Sequence, residues 1–320
     1  MGEEKAKSYF DNGSTSWPKA PGVAEAVGRL LTEGAFNINR GNYEGAYEVE
    51  AAVLDTREQL ARLFHAENSR RVIFTPGITH SLNYFIRGFL KRGDHVLVTG
   101  MEHNAVMRPL RCMEKEGVTW ECIPTDREGN VRSADVEGMI RKNTRAVIVL
   151  HASNVCGTIV SVEEIGRICR ERGVFFVVDT AQSAGTIPLD MEEACVDFLA
   201  FTGHKGLYGP QGTGGICVRP GITVRPLKSG GSGIHTYLKE HPHEMPTALE
   251  AGTLNGHGVA GLHAALGFLK ETGTDTIHKK EIGLMRRFLD GIKDIPGLKL
   301  YGDFSTDQRA AVVALNLGNV

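Results

Sequence analysis

Val174-Phe-Phe-Val-Val-Asp179 is the most apolar strand that the sequence offers, and it ends on a carboxylate. It has no polar alternation, so it reads as a strand buried on both faces of a mainly parallel sheet. Five similar runs surround it: Arg71-Val-Ile-Phe-Thr75, His95-Val-Leu-Val-Thr99, Ala146-Val-Ile-Val-Leu150, Phe198-Leu-Ala-Phe201 and Gly215-Ile-Cys-Val-Arg219. Between them, residues 82–90, 107–116 and 162–172 carry helical periodicity. Ser161 and Glu164 suggest a capping box at the start of the third helix, and Gly173 a stop at its end. Strand and helix alternate, which predicts an α/β fold with right-handed crossovers.

The character changes after Gly252. Residues 259–270 and 275–292 read as long helices, and 297–301 and 310–316 as strands, the start of a smaller α+β unit. Residues 229–243, with Gly-Gly-Ser-Gly and several histidines, read as a long loop, a length usually reserved for function or mobility.

The whole chain of 320 residues is 41% hydrophobic and 23% charged, which is globular composition. Its formal net charge of -2, with both signs interspersed, gives no basic surplus for nucleic acid or a membrane surface. No apolar run approaches a membrane span, the N-terminus has no signal-peptide core, and Ala6 sits where myristoylation of Gly2 would want Ser or Thr. A cytoplasmic location is the expectation. The six cysteines form no C-x-x-C pair and read mainly as small core residues, Cys156 included.

Chemistry gathers just after the strands. Thr202-Gly-His-Lys205 puts a lysine among small and polar residues, where a structural charge is unusual. Asp179 also follows a strand, and ligands of open α/β sheets lie beyond the carboxyl ends of strands. A lysine to form an imine and a carboxylate to keep a pyridine nitrogen protonated are what pyridoxal 5'-phosphate (PLP) requires. Phe74-Thr-Pro-Gly-Ile-Thr79 joins a strand to a helix and offers an anion site at the helix N-terminus, or a plain capped turn. Met101-Glu-His-Asn104 and His151-Ala-Ser-Asn154 supply His103 and Asn154, read either as ligand groups or as ordinary loop residues. No strand is followed by G-x-G-x-x-G, which argues against a nicotinamide dinucleotide.

With these come Tyr9-Phe-Asp-Asn-Gly-Ser-Thr15, Ser153-Asn-Val-Cys-Gly157, Asp179-Thr-Ala-Gln-Ser-Ala-Gly185 and Glu250-Ala-Gly-Thr-Leu-Asn255. From Tyr9 to about Phe268 the chain resembles class V aminotransferase-fold enzymes, within the cysteine desulfurase and selenocysteine lyase family. The resemblance implies PLP-dependent transferase fold type I: a mainly parallel seven-stranded sheet with helices on both faces, plus a smaller α+β domain. It sets a large domain at 14–255 and a small one at 1–13 and 256–320.

The resemblance also implies roles. Lys205 holds the cofactor as an imine and shuttles the α proton, Asp179 pairs with the pyridine nitrogen, and His103 stacks on the ring. Gln182 donates to the phenolic oxygen, near which Asn154 also lies, close to the substrate carboxylate. Thr79, the backbone at Ile78, Thr202 and His204 hold the phosphate. Thr253 reaches it from the partner subunit of a homodimer. Asn12 and Ser14 line the substrate side, and no metal is expected. The substrate would be L-cysteine or L-selenocysteine, with L-alanine as product and a sulfur-acceptor protein as a partner. The Glu-Ala-Gly-Thr-x-Asn form looks more like the branch that includes selenocysteine lyases.

In the family a nucleophilic cysteine and a carboxylate-binding arginine sit in the C-terminal small domain. None of the six cysteines matches that position, so the sequence predicts both residues beyond Val320, in about 60 to 100 further residues. Two alternatives stay open: another PLP reaction on the same fold, or a catalytically incomplete scaffold.

Overall fold

The computed structural model describes residues 8–34, 43–234 and 237–318. The segment holding Gly2 and Ala6, His235 of the long loop, and Val320 lie outside the described residues. The chain opens with α1 (Val23–Glu33) and α2 (Glu44–Leu63). Then come β1 (Val72–Thr75), α3 (Ile78–Gly88), β2 (His95–Thr99), α4 (Asn104–Glu114), β3 (Thr119–Ile123) and α5 (Ser133–Met139). β4 (Thr144–Leu150), α6 (Val162–Arg172), β5 (Phe175–Asp179), β6 (Phe198–Thr202) and β7 (Gly214–Val218) complete the larger sheet. α7 (Gly256–Thr272), α8 (Thr274–Ile292), β8 (Leu298–Tyr301) and β9 (Ala314–Leu317) follow.

Seven strands form one sheet in the order β1-β7-β6-β5-β4-β2-β3, and β8 pairs with β9 in a separate antiparallel hairpin. β3, β2, β4, β5 and β6 are parallel neighbours. β7 is antiparallel to both β6 and β1, so β1 runs the same way as β6. One reversed strand therefore leaves six carboxyl ends on a common edge.

The apolar runs are continuous because both faces are covered. Leu97, Val147, Phe176, Val178 and Leu199 pack with residues of α2, α6 and α7. Val96, Val98, Ile148, Val177 and Phe198 pack with α3 and α4 on the other face. Val23 of α1 meets Ala265 of α7, which extends the helical layer.

The six strands predicted for the larger sheet and the one predicted at 297–301 fall within two residues of their observed positions, whereas the strand predicted at 310–316 begins only at Ala314. The predicted capping box does not form: Ser161 makes no side-chain cap bond. Its ψ of 84 departs from the extended backbone that aims an N-cap oxygen at the first-turn amides. Gly173 does end α6 in the left-handed region, at φ 66. The described part of 229–243 contains neither helix nor strand of the kind found in the sheet layers. β3 is missing from the sequence reading because it is an edge strand carrying Trp120 and Glu121, without a continuous apolar run. α1 and α2 were also not read, although Val49, Val53, Arg57 and Leu60 of α2 repeat at helical spacing on its buried side.

A buried ion pair fastens the segment after β7 to this frame. Arg57 of α2 makes a two-pronged contact with Glu250 at 2.8 and 2.7 Å, and Glu250 also accepts the Phe74 amide at 2.6 Å. Arg57 also donates to Val72 O and lies over the Phe74 ring. Removing one partner of such a pair strands a buried charge. Glu250→Ala is expected to lower unfolding free energy by about 3 kcal/mol, checked by denaturant titration, whereas a loss below 1 kcal/mol would mean that Arg57 finds another acceptor.

Candidate active site

Four adjacent parallel strands, β2, β4, β5 and β6, deliver the sequence-predicted groups to one edge. His103 follows β2, Asn154 follows β4, Asp179 ends β5 with Gln182 just beyond, and Thr202 ends β6 ahead of His204 and Lys205. β1 brings Ile78 and Thr79 to the same edge at the start of α3.

Asp179 is buried. Its Oδ1 accepts the Ala181 amide at 2.8 Å. Burial pushes its pKa up to about 6, opposed by the Ala181 amide and the nearby charge of Lys205. Lys205 is shifted the other way: burial lowers it, against the attraction of Asp179 and Asp11. A lysine held this way spends more time as the neutral, nucleophilic amine.

The Lys205 turn is tightly fixed. The His204 carbonyl accepts the Ser16 amide at 2.9 Å, the Thr15 and Ser16 hydroxyls at 3.1 Å, and Lys19 Nζ at 2.9 Å. A Cβ on Gly203 would lie 2.2 Å from Thr213 Oγ1, and one on Gly206 would lie 2.4 Å from Ala184 O. Only glycine fits at either position. Lys19 was not singled out by sequence reading. Its Nζ also bonds Thr15 and Ser16, and burial lowers its pKa.

His103 caps α4: its Nδ1 accepts the Ala105 amide at 3.0 Å, which assigns the proton of the neutral ring to Nε2. Burial, then the charges of Lys205 and Arg108, lower its pKa. The imidazole is therefore held toward its neutral form. Gln182 Nε2 donates to Gly13 O at 2.9 Å, joining the N-terminal segment to the turn after β5. Asn12 and Ser14 are exposed and engaged locally: Asn12 accepts the Trp17 amide and Ser14 donates to Asp11.

The α3 start is an anion site in form. Gly77, the N-cap residue, offers no side-chain cap, so the first amides at Ile78 and Thr79 have no partner in the helix. Gly214 of β7 pairs with both Thr75 and Thr202. A Cβ there would fall 2.6 Å from Gly77 Cα, and one on Gly77 would lie 3.6 Å from Thr202 Oγ1. The glycine at 214 thus lets the helix start approach Thr202. Thr253, by contrast, is exposed and lines a cleft with Thr75, His80, Lys228 and Asn255. Lys205, Asp179 and His103 do not border that cleft.

Sequence reading passed over Glu102. As a residue it is half-buried, but its carboxyl is enclosed. Oε1 accepts Thr99 Oγ1 at 2.9 Å and the Leu150 amide at 2.8 Å, and Oε2 has no partner among the described residues. Leu150 is the register partner of Asp179. Burial first, then the Asp179 charge, push Glu102 up to about 8. Two neighbouring buried carboxyls cannot both ionise cheaply, and Lys205 favours the charge on Asp179. Glu102 is the one that keeps its proton.

The cysteines at 156, 169, 195 and 217 are buried, and Cys112 and Cys122 are exposed. No group of His, Cys, Asp and Glu among the described residues could hold a metal ion, and no described helix is long and apolar enough to cross a membrane.

The aminotransferase class-V family model matches residues 8–320. A probable cysteine desulfurase of Pyrococcus abyssi is 35% identical over 97% of this chain and 78% of its own length. Cysteine desulfurase IscS of Vibrio campbellii is 34% identical over 93% of this chain and 72% of its own. Among solved structures, the apo cysteine desulfurase of Thermococcus onnurineus superposes with a TM-score of 0.88 at 32% identity, covering 98% of this chain and 79% of that one. SspA in complex with cysteine gives 0.73 at 27% identity, over 82% of this chain and 72% of that one. The chain belongs to the class V aminotransferase family, among the cysteine desulfurases, with the fold type I architecture of PLP enzymes.

Glu102 makes stability depend on pH. Its unfolded carboxyl titrates near 4.5 and its folded one near 8, so between these values the folded state retains a proton that the unfolded state loses. Stability present below about pH 4.5 therefore declines as pH rises toward 8. Glu102→Gln fixes the neutral form. Its melting temperature is expected to gain on wild type steadily from pH 5 to 8 and then level off. A difference that is constant over this range would show that Glu102 is ionised throughout.

Proposed function

We propose that this chain binds PLP on Lys205 and acts on L-cysteine or L-selenocysteine, releasing L-alanine and passing on the sulfur or selenium. The observation that carries this reading is the buried Asp179 next to a lysine of depressed basicity, on the edge where β5 and β6 end. The donor set fits the cofactor. Asp179 has a carboxylate oxygen beyond the one bonded to Ala181 to meet the pyridine nitrogen. Ile78 and Thr79 at the uncapped start of α3, with Thr202 beside it, would hold the phosphate together with His204, whose Nδ1 is a buried atom with no partner among the described residues.

Bound there, PLP supplies an electron sink for the carbanion at the substrate's α carbon. The residues do the rest. Asp179, as an anion, keeps the pyridine nitrogen protonated. His103, neutral and held by Ala105, covers one ring face. Lys205 removes the α proton and can return it at the methyl carbon of the product. Gln182 and Asn154 orient the phenolic oxygen and the substrate carboxylate, with Asn12 and Ser14 on the substrate side. Four of the cysteines are buried, Cys112 lies on α4 and Cys122 on the edge strand β3. As the family resemblance implies, the thiol that accepts sulfur is none of these six in this reading, and a sulfur-acceptor protein lies downstream.

Thr253 belongs to a second copy's phosphate site in this reading. That reading takes the working protein to be a homodimer.

Incubation with PLP and borohydride is expected to leave a pyridoxyl group on the peptide containing Lys205, seen by mass spectrometry, and none in Lys205→Ala. Label elsewhere, or none in wild type, would favour a scaffold that has lost the cofactor. Asp179→Ala is expected to keep the fold and to lose alanine formation by on the order of 100-fold, the scale of one preorganised charge. Turnover equal to wild type would dismiss its role at the ring, and a keto acid in place of alanine would mark a transaminase.

A further inference from the structure

Arg309 lies between β8 and β9, and only 1% of it is exposed. No carboxylate pairs with it among the described residues. Its guanidinium instead donates to main-chain carbonyls: Cys156 O at 2.7 Å, Val312 O at 2.8 Å and Asp303 O. The Phe304 ring lies under it at 3.8 Å. A buried cation satisfied by carbonyls from separate segments holds those segments together, because each would lose a charge-assisted bond on parting.

One of those segments is the turn that presents Asn154. The turn is a small closed hairpin. Ala152 bridges Ile159, the Ser153 amide bonds Thr158 O, and the Ser153 hydroxyl accepts the Val155 and Cys156 amides. Asn154 is exposed at its tip. The segment around Arg309 is laid directly on the base of this hairpin. Thr158 bridges Arg309, and the Ala310 amide donates to Gly157 O at 2.8 Å. Gly157 has φ +73, and a Cβ there would lie 2.6 Å from Ala310 O. A Cβ on Gly302 would lie 2.6 Å from Cys156 O. Two glycines thus admit the contact and Arg309 seals it.

We infer that Arg309 is a positioning residue for the amino-acid ligand, acting through the 153–158 turn to hold Asn154 at the edge where β4 and β5 end. This rests on the functional reading above, since it takes Asn154 to face the ligand. It makes the β8–β9 unit part of the binding apparatus, because the register of that unit on the hairpin sets where Asn154 stands.

The test combines hydrogen exchange of the protein without cofactor with ligand binding to the PLP-loaded protein. Arg309→Met is expected to speed exchange in the peptide spanning 150–160 while PLP content per chain is retained. Affinity for L-alanine, read from the absorption of bound PLP, is expected to fall about tenfold, the worth of one well-placed hydrogen bond. Arg309→Lys, which keeps the charge but not the fork, falls between, and it serves alone if the methionine variant does not fold. In an Asn154→Ala background the Arg309 substitution is expected to cost nothing further. Independent, multiplying losses in the double variant would overturn the inference, as would unchanged affinity despite faster exchange. A wild type that takes up no PLP would instead remove the functional reading, and this inference with it.

Discussion

Gly214 and Gly215 make the crossing at β7 on which the site depends. β7 runs against both of its neighbours, and its first residues lie between Thr75 of β1 and Thr202 of β6. A Cβ at Gly215 would fall 2.5 Å from Ile73 O and from the Phe201 ring, and one at Gly214 would strike Gly77. With no side chains there, β1 can close on β6 through a single reversed strand, and the start of α3 comes to stand beside Thr202. The anion site and the Lys205 turn thus share one edge. Side chains at these two positions would push them apart.

The electrostatics of that edge follow from burial. Asp179 is enclosed, but the Ala181 amide and the Lys205 charge favour its ionised form. Glu102, equally enclosed and close to Asp179, has no cation to help it and stays protonated. His103 is kept neutral by burial and by the Lys205 charge. The result is one carboxylate, one amine of lowered basicity and one neutral imidazole. In the proposed reading, charge is confined to the groups that would meet a pyridine nitrogen and an imine, and the imidazole is left uncharged where it would stack.

Distant segments hold this arrangement through backbone carbonyls and one buried ion pair. The His204 carbonyl is bonded by Thr15, Ser16 and Lys19, far off in sequence. Arg57 and Glu250 tie the segment with Thr253 to the start of the sheet. Arg309 ties the hairpin with Asn154 to the β8–β9 unit. The bonds to the His204 carbonyl and those from Arg309 specify position without needing a matching side chain at the other end.

The strands, their common edge and most of the candidate site were legible in the sequence. A strand buried on both faces must be written as a continuous apolar run, and ligand groups in such sheets follow the run directly. Asp179 and Lys205 could be read in this way, and Gly173 as a helix stop follows from the left-handed backbone that glycine tolerates. β3 was not legible because an edge strand is covered on fewer sides and can carry Trp120 and Glu121. The failed Ser161 cap shows that suitable residue types do not fix backbone angles. Glu102, Lys19, the Arg57–Glu250 pair and Arg309 were settled only by tertiary structure. Each has at least one partner tens to hundreds of residues away, and only folding decides whether a charged side chain points to water or to a buried partner.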